Sequence, residues 1–153
     1  MVWKQVQHDR RKAGDLNGIE GGVDRTCTLK LYNSNASRKV RGALRHILTG
    51  AVWTQASRAK MPQNAGMSTT CTHCTTGEHE DLKHLWWSCA AWTEHRGRVR
   101  PEVREAAIAG DLPACLSNCG VLPEGYDQFG KDTADIQQMM AEIYVKKITA
   151  IER

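Results

Sequence analysis

The clearest helical pattern in this chain lies near its C-terminal end. Ile136, Met139, Met140, Ile143, Ile148 and Ile151 recur at three- and four-residue spacing, and Asp132 stands where an N-cap belongs. A second pattern is "SRKVRGALRHILTG". Ser37 is a capping residue, Val40, Leu44, Ile47 and Leu48 share one face, and Gly50 is a natural stop. "AVWTQASRAK" predicts a second short helix and "MPQNAGMSTT" a loop. Glu78 to Trp87 reads as a helix with Leu82, Leu85 and Trp86 inward and Cys89 just past its end. Two short helices are expected in "AWTEHRGRVRPEVREAAIAG", the second starting near Pro101, because proline is tolerated in a first turn. "DLPACLSNCGVLPEGYDQFG" reads mostly as loop with one helical turn. Before Ser37, Gly14, Gly18, Gly21, Gly22 and the Asn33–Asn35 run break up the pattern, leaving one short strand expected over Thr26–Tyr32.

The expected architecture is therefore mainly α. Residues 1–34 form a loosely ordered segment, 35–96 hold basic helices and a metal-binding module, and 97–153 form a helical tail. No internal repeat or low-complexity tract interrupts this order.

Composition changes the picture in one respect. Hydrophobic residues make up 41% and charged residues 25%, which places the chain in the globular class. Its one phenylalanine is Phe129, and five tryptophans supply much of the bulky apolar surface. A core so poor in phenylalanine calls for added cross-links. No apolar run is long enough to span a membrane, and the N-terminus lacks the apolar stretch of a secretory signal. An intracellular setting, nuclear or cytoplasmic, is expected, where clustered cysteines bind metal more often than they form disulfides.

Charge is unevenly spread. The net charge is +4, yet residues 25–77 contain no aspartate or glutamate and carry +8, while residues 78–153 carry −4. An acid-free basic block suits a polyanion such as RNA or single-stranded DNA. Arg38, Lys39, Arg41, Arg45, Arg58 and Lys60 are the candidate phosphate contacts. Trp87 is a candidate base-stacking residue.

The candidate chemistry is concentrated in "TTCTHCTTGEHEDLKHLWWSCAAW". Three of six cysteines and three of six histidines fall within it. Cys71 and Cys74 form a Cys-x-x-Cys turn that aims two sulfurs at one point, as tetrahedral zinc requires. Two pairs can close the site: His84 with Cys89, or His79 with His84. The first pair has an awkward spacing. On a regular helix five residues turn the side chain by about 140°, so the helix must loosen or end just before Cys89. Glu80, one turn before His84, is placed to orient the imidazole. Four protein ligands leave no open position for water, so the expected ion is structural. Cys115 and Cys119, one helical turn apart, lack obvious partners and read as small buried hydrophobes.

The stretch from "LRHILTG" to "CAAWTEHR" resembles the C-terminal region of non-LTR (LINE-type) retrotransposon polyproteins. There a leucine-rich "LTG" helix follows the reverse transcriptase and, in many elements, a ribonuclease H domain. A zinc-binding segment of the form C-x2-C…E-x-x-x-H-L-(aromatic)-x-x-C comes after it. Leu48, Thr49 and Gly50 match the first part; Cys71, Cys74, Glu80, His84, Leu85, Trp86 and Cys89 match the second; Trp92 and Arg96 fall where such segments place an aromatic and an arginine. The resemblance implies the ligand set Cys71, Cys74, His84 and Cys89 for a Zn2+ ion, with His79 as the alternative ligand.

The enzymes of such polyproteins leave no trace here. The paired aspartates of a reverse transcriptase are missing. Before the LTG helix only Asp9, Asp15, Glu20 and Asp24 are available to a ribonuclease H, in a glycine-broken segment, so no catalytic residue is assigned. The expected function is a non-catalytic, zinc-binding, nucleic-acid-binding module, with the rest of a polymerase polyprotein as a further partner. The alternatives are a zinc-stabilised protein-interaction module and a residual ribonuclease H.

Overall fold

The computed structural model describes residues 14–151 and shows a mainly helical protein. Six α-helices are found among the described residues: α1 (Arg25–Leu29), α2 (Arg38–Leu48), α3 (Gln55–Ala59), α4 (Pro101–Ala109), α5 (Ala114–Cys119) and α6 (Thr133–Ile151). Short 3-10 turns and one π-turn, His84–Ser88, connect them. Pairing of extended backbone among the described residues is limited to two isolated antiparallel bridges, Val23 with Pro123 and Thr70 with His79.

The long helix α6 is the axis of the molecule. α1, α2, the Glu94–Arg98 turn and the π-turn all pack against it. Its expected stripe is the core: Ile136, Met139, Met140 and Ile143 are fully buried, and Ile148 is half-buried. The side chain of Ile151 lies outside the described residues. Asp132 does stand at the helix start, where its carbonyl accepts from Ile136 N, but its carboxylate grips the guanidinium of Arg100 at 2.8 and 2.9 Å.

α2 follows its sequence pattern closely. Ser37 Oγ accepts from Val40 N at 3.2 Å. Ala43, Leu44, Ile47 and Leu48 are buried, and Arg38, Lys39, Arg41 and Arg45 are exposed. Each leucine or isoleucine so buried contributes about 1.5–3 kcal/mol. The helix ends as "LTG" suggests. Gly50 takes φ +69°, which only glycine adopts freely, and Gly50 N and Ala51 N donate back to Ile47 O and His46 O.

Three expectations are corrected. The Thr26–Tyr32 strand is instead most of helix α1 and the turn after it, because Asp24 caps α1 by accepting from Cys27 N at 3.0 Å. The part of the N-terminal segment that is described, 14–34, is not loosely ordered. Leu16 and Ile19 are buried, and the segment is tied to distant chain by Cys115 N to Asn17 O, Asp24 N to Leu122 O and Glu124 N to Gly22 O. Residues 1–13 lie outside the described residues. Finally, Glu78 to Trp87 is not one regular helix. Glu78–Glu80 is extended, and the helix begins only at Leu82.

α5 forms where one helical turn is expected, and Cys115 and Cys119 are buried in it as the sequence suggests. Its last-turn carbonyls find unusual donors. The indole N–H groups of Trp86 and Trp87 donate to Asn118 O at 2.9 Å and Ser117 O at 2.8 Å. Carbonyls in a last turn have no intrahelical partner, so these two indoles cap α5 while filling the core.

Candidate metal centre

Two short runs of backbone build the centre. The first is a turn closed by pairing at its base: Cys71 N donates to Glu78 O at 2.8 Å and Glu80 N to Thr69 O at 2.9 Å. Between those rungs the chain reverses, helped by Gly77 at φ +75°. The turn presents Cys71 and Cys74 on one side, and His73 N donates to Cys71 Sγ at 3.4 Å. The second run is the π-turn. Cys89 N donates to His84 O at 2.8 Å, a five-residue bond that widens the helix just where the His84–Cys89 spacing requires it. Cys89 then leaves the helix with extended backbone, at ψ 122°.

The result is a convergent cluster. The ligand atoms of Cys71, Cys74, His84 and Cys89 all lie within 4.8 Å of one another. Cys71 Sγ and Cys89 Sγ are 3.8 Å apart, and Cys74 Sγ lies 3.5 Å from His84 Nε2. Cys71, His84 and Cys89 are buried, and Cys74 is half-buried. Three thiols and one imidazole at these separations can hold a metal ion. His79 is not among them: it sits exposed on the bridge with Thr70.

Burial pushes the Cys89 thiol up to about 12 and raises that of Cys71. Hydrogen bonds from Thr76 hold Cys74 down at about 6, with His84 and Cys71 adding to the shift. The imidazole is oriented through its other nitrogen. His84 Nδ1 lies 2.7 Å from Glu78 Oε2 and 3.3 Å from Ser88 Oγ. An acceptor on Nδ1 leaves the Nε2 lone pair free to bind a cation.

Glu78 thus does what Glu80 is expected to do. Glu80 is fully buried, and its Oε1 accepts from Gln55 N at 2.9 Å and from Lys147 Nζ. Its backbone carbonyl also accepts from Ala56 N. One residue therefore joins the metal turn, the start of α3 and the end of α6.

Arg96 has a role that its match to the motif leaves unspecified. It is buried, and its guanidinium donates to Cys89 O at 2.6 Å, Trp86 O at 3.4 Å and Thr93 Oγ1 at 3.2 Å. A π-turn that stops at Cys89 leaves carbonyls without helical partners, and Arg96 supplies them. Its charge also lies next to a cluster that is anionic once the thiols ionise.

The basic residues are split between two places. Arg38, Arg41 and Arg45 share one stripe of α2 opposite its buried face, with Lys39 to one side. Arg45 Nε donates to Tyr32 Oη at 2.9 Å. Arg58, in the last turn of α3, lines a groove beside the metal turn, and both Arg58 and Lys60, just past the helix, are exposed. Trp87 must be withdrawn as a stacking residue: it is 2% exposed and its ring has no free face. Trp53, at 53% exposed, is the aromatic that the sequence reading does not single out. A signal is present, since it is the one tryptophan within the acid-free block.

Asp15, Glu20 and Asp24 do not converge with other carboxylates, cysteines or histidines into a metal-holding group; among the described residues the Cys3His cluster alone does so. No helix of the described residues is long and apolar enough to cross a membrane. Comparison with protein-family models, with curated proteins and with solved structures found no significant match to this chain.

Proposed function

We propose that this protein is a non-catalytic nucleic-acid-binding module built around a structural Zn2+ ion, of the kind found at the C-terminal end of non-LTR retrotransposon polyproteins. The observation that carries the metal is the spacing of the donors. Zinc bonds of about 2.3 Å to sulfur and about 2.0–2.1 Å to nitrogen, at tetrahedral angles, put two sulfurs about 3.8 Å apart and sulfur and nitrogen about 3.5 Å apart. Two of the six donor pairs have 3.8 and 3.5 Å, and all six lie within 4.8 Å. Cys71, Cys74, His84 and Cys89 would hold the ion, Glu78 and Ser88 would fix the imidazole, and Arg96 would offset the extra thiolate charge.

RNA or single-stranded DNA is the partner that the cations favour. Arg38, Lys39, Arg41, Arg45, Arg58 and Lys60 all reach solvent from a block without one acidic residue. They position phosphates and read no sequence. In an intact element this module would hold template or target strand beside the polymerase, which makes the rest of such a polyprotein its second partner.

The test is binding of a fluorescent single-stranded oligonucleotide to the metal-loaded protein across a salt series. Single strands release about 0.7 counterion per phosphate contact. Six contacts would give a slope of log K against log salt near −4, and neutralising Arg38, Arg41 and Arg45 together should flatten it by about 2. An unchanged slope would refute the assignment of these residues.

A further inference from the structure

We infer that the groove beside the metal turn seats one unpaired nucleobase, stacked on Trp53, with its phosphate on Arg58. This rests on the nucleic-acid reading above and adds where a base, rather than the backbone alone, is gripped.

The groove has a volume of about 430 Å³ and is lined by residues that include Trp53, Gln55, Arg58, Asn64 and His73. That lies within the range of small-ligand clefts, ~300–1,000 Å³. Trp86, Trp87 and Trp92 are all buried, so Trp53 alone among the described tryptophans turns its ring to solvent. Aromatic faces beside positive charge are what single-strand binders use, because every base has a π-face.

The charge around the groove fits an anionic strand. Arg58 reaches solvent and forms no ion pair among the described residues. Lys147 also lines the groove, but its ammonium is bound to Glu80. That pairing ties up the Glu80 carboxylate, and no carboxylate lines the groove, so Arg58 leaves its rim positive. Gln55 and Asn64 bring amides, which both donate and accept, as the edge of a base requires. The Gln55 Oε1 atom is buried with no hydrogen-bond partner among the described residues. A base within a duplex has no free face to offer, so the occupant is a base of a single strand.

The experiment uses the full-length, metal-loaded protein and three fluorescent decamers: uridine RNA, thymidine DNA and an abasic DNA with the same phosphates. Trp53→Ala should weaken the ordinary decamer that binds by about 5- to 150-fold and leave the abasic one unchanged. Trp53→Phe should restore most of the loss, and Arg58→Gln should weaken ordinary and abasic decamers alike. Trp53 is half exposed, so its replacement leaves the fold intact. Ordinary decamers that bind Trp53→Ala as tightly as wild type, with the salt slope preserved, overturn the inference while the nucleic-acid reading stands. Failure of wild type to bind either ordinary decamer overturns both.

Discussion

The Glu80–Lys147 pair offers the sharpest test of how the metal module is fixed to the helical body. Glu80 is 0% exposed and Lys147 is 7% exposed. Glu80 Oε1 accepts from both Lys147 Nζ and Gln55 N, and Glu80 Oε2 faces His73 Nε2 at 3.9 Å. Neither residue is a metal ligand, so their loss should act on stability without changing metal content. Removing one partner of a buried pair leaves an unpaired charge and costs about 3–5 kcal/mol. Lys147→Met should reach that range, since Glu80 keeps only the Gln55 N–H. Glu80→Gln should fall near its lower end, because the amide oxygen still accepts from Gln55 N and Lys147.

The double variant, Glu80→Gln with Lys147→Met, has no buried charge. It should be more stable than the sum of the two single losses by about 2–3 kcal/mol, which is the coupling expected of contacting residues. Urea unfolding at fixed excess zinc reads this as a shift of midpoint at constant slope. Against a typical total of about 5–15 kcal/mol, such losses are large. Two outcomes would refute the reasoning: single variants that each lose under about 1 kcal/mol, or a double variant that is simply additive.

Three further outcomes are expected. Cys89→Ser should abolish stoichiometric zinc in metal analysis, whereas His79→Ala should retain it; the reverse would restore the alternative ligand set. Trp87→Phe should cost about 1–3 kcal/mol in urea unfolding, since it leaves Ser117 O without its donor, and should not change oligonucleotide affinity. Zinc affinity, read by chelator competition, should fall by about two decades for each pH unit lowered near neutrality. Burial keeps the Cys71 and Cys89 thiols protonated in the metal-free site and both must release their protons, while Cys74 at about 6 is already largely ionised; an affinity that ignores pH would contradict this.

What is legible in the sequence follows from the range of the forces involved. α2 and α6 are legible because their information is local: a cap, a stop and a 3.6-residue stripe all lie within the element. The Cys3His cluster is legible because Cys-x-x-Cys and the awkward five-residue step to Cys89 impose geometry wherever they occur. The N-terminal segment misleads for the opposite reason. Gly14, Gly18, Gly21 and Gly22 look like punctuation until their surroundings find hydrogen bonds at 115–124, about a hundred residues away. Trp87 misleads because both its ring and its indole N–H find partners inside the fold, from segments distant in sequence. Nothing nearby in sequence shows that Ser117 O will be waiting for it.

Glu78 and Glu80 show the limit most clearly. Both lie on the returning arm of the metal turn, with His79 between them, and a helical reading puts Glu80 one turn from His84. Extended backbone at 78–80 replaces that logic, because successive residues of an extended chain point to opposite sides and alternate ones share a side. His79 is turned out to solvent, and the two glutamates are spread along the chain by about 6.5 Å. At that separation they serve different partners: Glu78 reaches the imidazole of His84, and Glu80 reaches Lys147. The carboxylate that orients the ligand and the one that anchors the module are therefore set by where the helix begins. That start is fixed at Leu82 by the bridge at Thr70–His79 and by Asp81, whose carboxylate accepts from His84 N at 2.8 Å. A capping aspartate thus sets the chemistry on both sides of it: it lets the turn before it stay extended, and it starts the helical run that must widen at His84 to deliver Cys89.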